Sequence, residues 1–190
     1  MKLRRFLCIL ALLLASVLQA CHRECTSSAP GREVSAARLE ISGSPRFSNQ
    51  VHQALLLLKE RDVEAYTIVT NYVRRIQPGK HSGMWAYKTP PTYEMTDATA
   101  FYSLTWCAAT IAHDSFHSKL YHEYQKAHDG PVPDVVWTGT AAEQQCMQHQ
   151  LAVMQRIGAP QREIDHAKQE ADGQYVKDKE TWGDYEKRKW

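Results

Sequence analysis

Surplus charge is missing from this chain. Its 190 residues carry 23 basic and 21 acidic groups. Residues 1–20 hold Lys2, Arg4 and Arg5 and no acid, which leaves 20 basic against 21 acidic side chains, a net of −1. A near-neutral body has no electrostatic footprint for nucleic acid, and no such partner is expected. Also missing are a phosphate-cradling glycine loop and a Gly-x-Ser-x-Gly nucleophile elbow, which sets aside nucleotide-dependent and serine-nucleophile chemistry. Cysteine is scarce. Cys8 and Cys21 belong to the N-terminal segment, and Cys25, Cys107 and Cys146 remain, an odd number. What is present is globular in composition, 43% hydrophobic and 23% charged, enough for one domain of ordinary size.

The N-terminus reads as an export signal. Lys2, Arg4 and Arg5 form a basic start, and Phe6 to Val17 is an almost unbroken apolar run, too short for an ordinary spanning helix. Leu18-Gln19-Ala20-Cys21 resembles a bacterial lipobox, which implies that Cys21 is lipidated and becomes the mature N-terminus. The protein would then be an exported lipoprotein on a membrane facing the periplasm or the cell surface, held by lipid chains. Simple cleavage after Ala20 is the alternative and would give a secreted protein. The expected organisation is a lipoprotein-type signal peptide over 1–20, a tether over 21–45 and a single domain over 46–190. Within the tether, Ala37, Leu39 and Ile41 alternate as in a short strand.

The body opens with two expected helices. Ser48 can cap one through Val51, Ala54, Leu55 and Leu58. Asp62 can cap a second, with Val63, Tyr66, Val69, Val73 and Ile76 at helical spacing, closed by Pro78-Gly79. Met84 to Lys88 and Thr92 to Met95 read as two short extended segments around Pro90-Pro91. A long central helix should start near Thr96 or Asp97. Val135-Val136-Trp137 reads as a brief apolar link. A further helix opens at Thr140 and closes at Gly158-Ala159-Pro160, a shorter one covers Gln161 to Ala171, and aromatics in the tail should pin it across the body.

The central helix carries the chemistry. His113 and His117 lie four residues apart, so both imidazoles can point at one spot, as two nitrogen ligands of a metal would. Apolar stripes on two sides place the pair in an enclosed space beside Trp106. Asp114 adds a carboxylate next to them. In the following helix Glu143 falls on the apolar stripe, where a carboxylate needs a partner such as a cation. It also fits a capping box, Thr140-x-x-Glu143, which would turn it back on its own helix. His149 is a reserve ligand, but it faces away from Glu143 on a helical plot. Cys107 and Cys146 could form a disulfide or stay as buried thiols.

His113-Asp114-Ser115-Phe116-His117 followed by Glu143 resembles the zincin metallopeptidases, marked by His-Glu-x-x-His, and among them the gluzincin type with a downstream Glu ligand. The resemblance spans roughly residues 96 to 160, with Asp114 where the family has its Glu. It implies an α+β, mainly α-helical fold, a zincin-like core of about five helices with a central metal-ligand helix and a minor strand segment. It implies one zinc ion on His113, His117 and Glu143, with Asp114 as the catalytic base of a hydrolase acting on a peptide or protein. Asp is one methylene shorter than Glu, a deficit of about 1.5 Å in reach, and misplacement on that order can slow a reaction about 10²-fold. A lipid-anchored metal-binding or structural protein without turnover is the reading from the other class.

Overall fold

The computed structural model describes residues 38–174. The signal segment, Cys21, Cys25, most of the expected tether and the aromatic tail from Tyr175 lie outside the described residues. Those described are mainly helical around a small sheet. In chain order they form β1 (Glu40–Ile41), α1 (Pro45–Arg61), α2 (Val63–Tyr72), β2 (Arg75–Pro78), β3 (Gly83–Trp85), β4 (Thr92–Met95), α3 (Asp97–Ala100), α4 (Leu104–Ala127), α5 (Asp134–Trp137), α6 (Thr140–Arg156) and α7 (Gln161–Gln174).

Local chemistry accounts for the first helices. α1 begins before Ser48, because Ser44 accepts from the Phe47 N–H at 3.2 Å and Pro45 supplies a preset φ at the first helical position. Its buried residues, Phe47, Val51, Ala54, Leu55 and Leu58, make one stripe. Asp62 serves two helices at once. Its backbone N–H closes α1 on the Leu58 carbonyl, and its side chain accepts from the Ala65 N–H to open α2. Both helices pack on α4 and on each other, as the expected pair would.

The second helix is shorter than its periodicity predicts. It stops at Tyr72, Val73 turns extended, and Arg75 to Pro78 become β2. β2 lies between β1 and β4, parallel to both, with Ile41, Ile76 and Tyr93 in register. Two ladders outweigh the weak helical preference of a Val- and Ile-containing run. β3 adds antiparallel to β4 and forms one edge, giving the order β1-β2-β4-β3. The strand expected near Ile41 is present as β1, so the folded body begins inside the stretch read as tether.

The central helix also departs from expectation. Thr96 caps only the single turn of α3, and the chain bends at Phe101 and Tyr102. Ser103 then caps α4 on the Trp106 N–H at 2.9 Å. From Trp106 to Ser115 every residue of α4 is buried, the polar sector included. Small polar side chains make this tolerable. Thr110 donates to the Cys107 carbonyl, Ser115 to the Ala112 carbonyl, and Ser118 to the Tyr72 carbonyl at 2.7 Å.

The remaining elements bring a second helix against α4. The link at Val135 to Trp137 is the turn α5, and Trp137 is 2% exposed. α6 ends where Gly158 takes φ 75°, with Gly158 N–H on the Gln155 carbonyl and Ala159 N–H on the Met154 carbonyl, a Schellman closure. Trp106 and Ala109 of α4, Met147 and Met154 of α6, and Ile164 and Ala167 of α7 form a core of their own. It is separate from the larger one between α1, α2, α4 and the sheet.

Arg156, in the last turn of α6, donates to the Asp62 carboxylate at 2.6 Å. Asp62→Ala removes both this bond and the α2 cap. It should destabilise the protein by about 2 kcal/mol, while Arg156→Ala, with its half-exposed side chain, should lose less than about 1 kcal/mol. Urea unfolding of the two variants checks the ordering, and equal losses would mean that the cap contributes nothing.

Candidate metal centre

α4 and α6 each bring donors to one buried point. From α4 come His113 and His117, 4% and 0% exposed, and from α6 come Glu143 and Cys146, 1% and 0% exposed. The spacings i, i+4 and i, i+3 put each pair on one helix face. The Nε2 atoms of the two imidazoles are 3.0 Å apart. Glu143 Oε2 is 3.6 Å from His113 Nε2, and Oε1 is 3.5 Å from His117 Nε2. The ligand atoms of His113, His117 and Cys146 all lie within 4.8 Å of one another.

The capping reading of Glu143 is overturned. α6 is preceded by Gly139 at the cap position, with no side-chain cap bond, and the Glu143 N–H bonds to the Gly139 carbonyl. The helix therefore opens one residue before the box requires, and Glu143 faces the imidazoles.

His117 is held in one tautomer. Its Nδ1 lies 2.5 Å from the Trp137 carbonyl oxygen. A carbonyl only accepts, so Nδ1 carries the hydrogen, and Nε2 of the neutral ring presents a lone pair. That lone pair faces His113 Nε2 at 3.0 Å and lies 3.5 Å from a Glu143 oxygen. A hydrogen on His113 Nε2, or a cation, can stand between these groups. Metal-ligating histidines use their other ring N–H in the same way, on a carbonyl or a carboxylate. For His113, burial pushes the pKa down, but Glu143, Asp114 and Gln150 together outweigh it and the net shift is upward. A proton on His113 thus does for the cluster part of what a cation would.

Asp114 is placed apart from this convergence. It is 7% exposed and lies by Tyr93 of β4, a fully buried tyrosine. Burial first, then the nearby Asp114 charge, push the Tyr93 pKa well above its ordinary value, against a bond from Thr110. Asp114, Tyr93, Thr110, His113, Trp106 and Gln150 line a cavity of about 20 Å³. That is room for ordered water. The enclosed space beside Trp106 is therefore present, and it joins His113 to Asp114.

The other sequence candidates fall outside. The His149 ring packs on Phe116, with centroids 4.8 Å apart, and takes no part in the cluster. Cys107 and Cys146 are both free. Cys107 faces the Met95 sulfur at 3.9 Å, and burial pushes its thiol up to about 12. Burial, then the charges of Glu143 and Asp114, push the Cys146 thiol upward as well. Cys146 as a donor and Trp137 as the anchor of His117 escape a sequence reading that treats Cys146 as a disulfide candidate. Its position three residues after Glu143 is the available signal. The Trp137 carbonyl leaves none, because any residue has one.

Comparison with protein-family models, curated protein sequences and solved structures finds no match to this chain.

Burial depresses the His149 pKa to about 4. The unfolded chain keeps the ordinary value near 6.5, so between the two it binds a proton the folded chain refuses. His149 thus leaves stability intact above about pH 6.5 and erodes it as the pH falls toward 4. With its partial exposure discounted, the loss from pH 7 to 5 is about 1–2 kcal/mol. In His149→Gln, urea unfolding at both pH values should show that much less loss. An unchanged pH dependence would exclude this role.

Proposed function

We propose that this chain is a zinc-dependent hydrolase of the cell envelope, a zincin-like protein that holds one zinc ion on His113, His117 and Glu143 and acts on a peptide or protein. One observation carries the reading. Zinc bonds of about 2.1 Å in a tetrahedron place donor atoms about 3.4 Å apart. Here the two Nε2 atoms are 3.0 Å apart, and Glu143 faces His113 with Oε2 at 3.6 Å and His117 with Oε1 at 3.5 Å, one oxygen toward each ring. The donor set, two imidazoles and a carboxylate, suits zinc. The locked tautomer of His117 adds the outer contact such a ligand needs.

When bound, zinc supplies Lewis acidity, making water acidic near neutral pH and polarising a carbonyl. The chain's own residues do the rest. Asp114 is the proton acceptor, in a cavity that His113 also lines and that has room for water. Tyr93 lies beside the Asp114 carboxylate. β3 is an edge strand packed by α4, so an extended peptide can pair with its main chain. The resemblance to gluzincins fits the order of a small mixed sheet, a two-His helix and a later helix with an acid. Lipidation at Cys21 would hold the enzyme on the membrane.

A second reading has a specific observation behind it. All the donors are buried, and the cavity beside them is too small for a peptide. A metal-holding lipoprotein without turnover fits that enclosure, since structural zinc sites are closed.

Metal analysis of the purified full chain should find one zinc per chain, lost in His113→Ala and in Glu143→Gln. Equal content in the variants ends the metal reading. Chelator-sensitive cleavage of a peptide library, abolished in Asp114→Asn, establishes turnover. Zinc with no cleavage favours the second reading. Labelled fatty acid should enter the wild type and not Cys21→Ala, and equal labelling removes the anchor.

A further inference from the structure

We infer that Cys146 is a fourth ligand of the same cation, so that the resting centre is a closed His113, His117, Glu143, Cys146 set. The inference rests on the metal reading above and adds to it the state of the fourth position.

Geometry leads to Cys146. It stands three residues after Glu143 on α6 and faces α4 across the two imidazoles. With zinc–sulfur and zinc–nitrogen bonds of about 2.3 and 2.1 Å, a tetrahedral site sets sulfur about 3.6 Å from each nitrogen. The thiol sulfur lies within 4.8 Å of both. A movement of about 1 Å, within what a side-chain rotation allows, brings it into the shell. The two helices then each give an i, i+3 or i, i+4 pair, and four donors close the tetrahedron. Cys107 cannot substitute, because its sulfur faces Met95 on another side of α4.

The chemistry of the step is simple. The Cys146 S–H bond breaks, its proton leaves to solvent, and the sulfur lone pair forms the bond to the cation. No electron is transferred. Two consequences follow. A thiolate in the shell selects zinc, cobalt or cadmium over magnesium, calcium and manganese. It also fills the position that water needs, so hydrolysis requires the sulfur to leave first. Cys146 would then be the shutter of the centre, and the enclosure of the site would be its resting state.

Cobalt(II) titrated into the metal-free full chain tests this directly. The wild type should bind one cobalt with the intense visible bands of a tetrahedral site and a thiolate-to-cobalt charge-transfer band in the near ultraviolet. Cys146→Ser and Cys146→Ala should lose the charge-transfer band, and Cys107→Ser should keep it, with folding checked by circular dichroism. Cobalt bound to the wild type without that band overturns the inference and leaves the three-ligand reading standing. A band that persists in both Cys146 variants also overturns it. No stoichiometric cobalt binding overturns both readings together. The wild-type spectrum needs no variant, so a Cys146 substitution that fails to fold does not protect the inference.

Discussion

The structure turns on one buried cluster of two imidazoles and a carboxylate. Two imidazole nitrogens and a carboxylate meet between α4 and α6 with almost no access to water. A buried carboxylate needs a partner, and His113, shifted toward its protonated form by Glu143, is one. The chain spends well-fixed geometry on holding them together. The Trp137 carbonyl fixes one ring, and Gly139 in place of a side-chain cap leaves Glu143 to face inward. Core residues of similar size would pack this gap more stably, as they do where buried ion pairs are replaced. A cation, if bound, would meet the two imidazoles and the carboxylate at once.

The frame around the contact explains why it can be so dry. α4 is surrounded by α1, α2, the sheet, α5, α6 and α7. A helix enclosed on all sides must satisfy its polar residues internally, and Thr110, Ser115 and Ser118 do so through carbonyls. Alanines at 108, 109 and 112 let the neighbours approach closely, each fully buried. The second core, with Trp106, Met147 and Ile164, ties α6 and α7 to α4 and so fixes the distance across which the donors meet. Packing and site geometry are therefore one problem in this fold, since a shift of α6 would move Glu143 and Cys146 together.

Much of this was legible wherever a local rule decides. The spacing of His113 and His117 placed both rings on one face, Asp62 announced a helix start, and Gly158 announced a stop. The apolar position of Glu143 pointed inward correctly, although a capping box competed for it. Illegible features have distant causes. β2 looked helical because Val69, Val73 and Ile76 keep the helical period, and only its pairing with β1 and β4 makes it a strand. The interruption between α3 and α4 required Ser103 to outdo Thr96 as the cap of the long helix. Cys146 follows Glu143 by three residues, but that spacing alone does not distinguish a metal donor from a disulfide partner of Cys107 or a buried thiol. Asp114, the expected catalytic base, follows a ligand candidate directly in the sequence. One residue along a helix is a turn of about 100°, which carries its carboxylate toward Tyr93 instead.

That displacement of Asp114 bears on whether the centre works or merely holds. A proton acceptor has to reach the reacting water, and Asp114 shares a water-sized cavity with His113 while its charge is felt by Tyr93. The shorter side chain therefore need not span the full distance that Glu spans in the family, provided that the cavity water stands between. Enclosure acts in the opposite direction. The groups that would make chemistry strong in a dry site also keep a peptide out, and only a movement at the α4–α6 face or at the β3 edge would admit one. The two readings thus differ in motion more than in composition. On the proposed metal reading, the same buried donors would make a closed structural site if α6 stayed in place and a hydrolytic one if it yielded, so the energetic cost of parting Cys146 and Glu143 from α4 would separate the two.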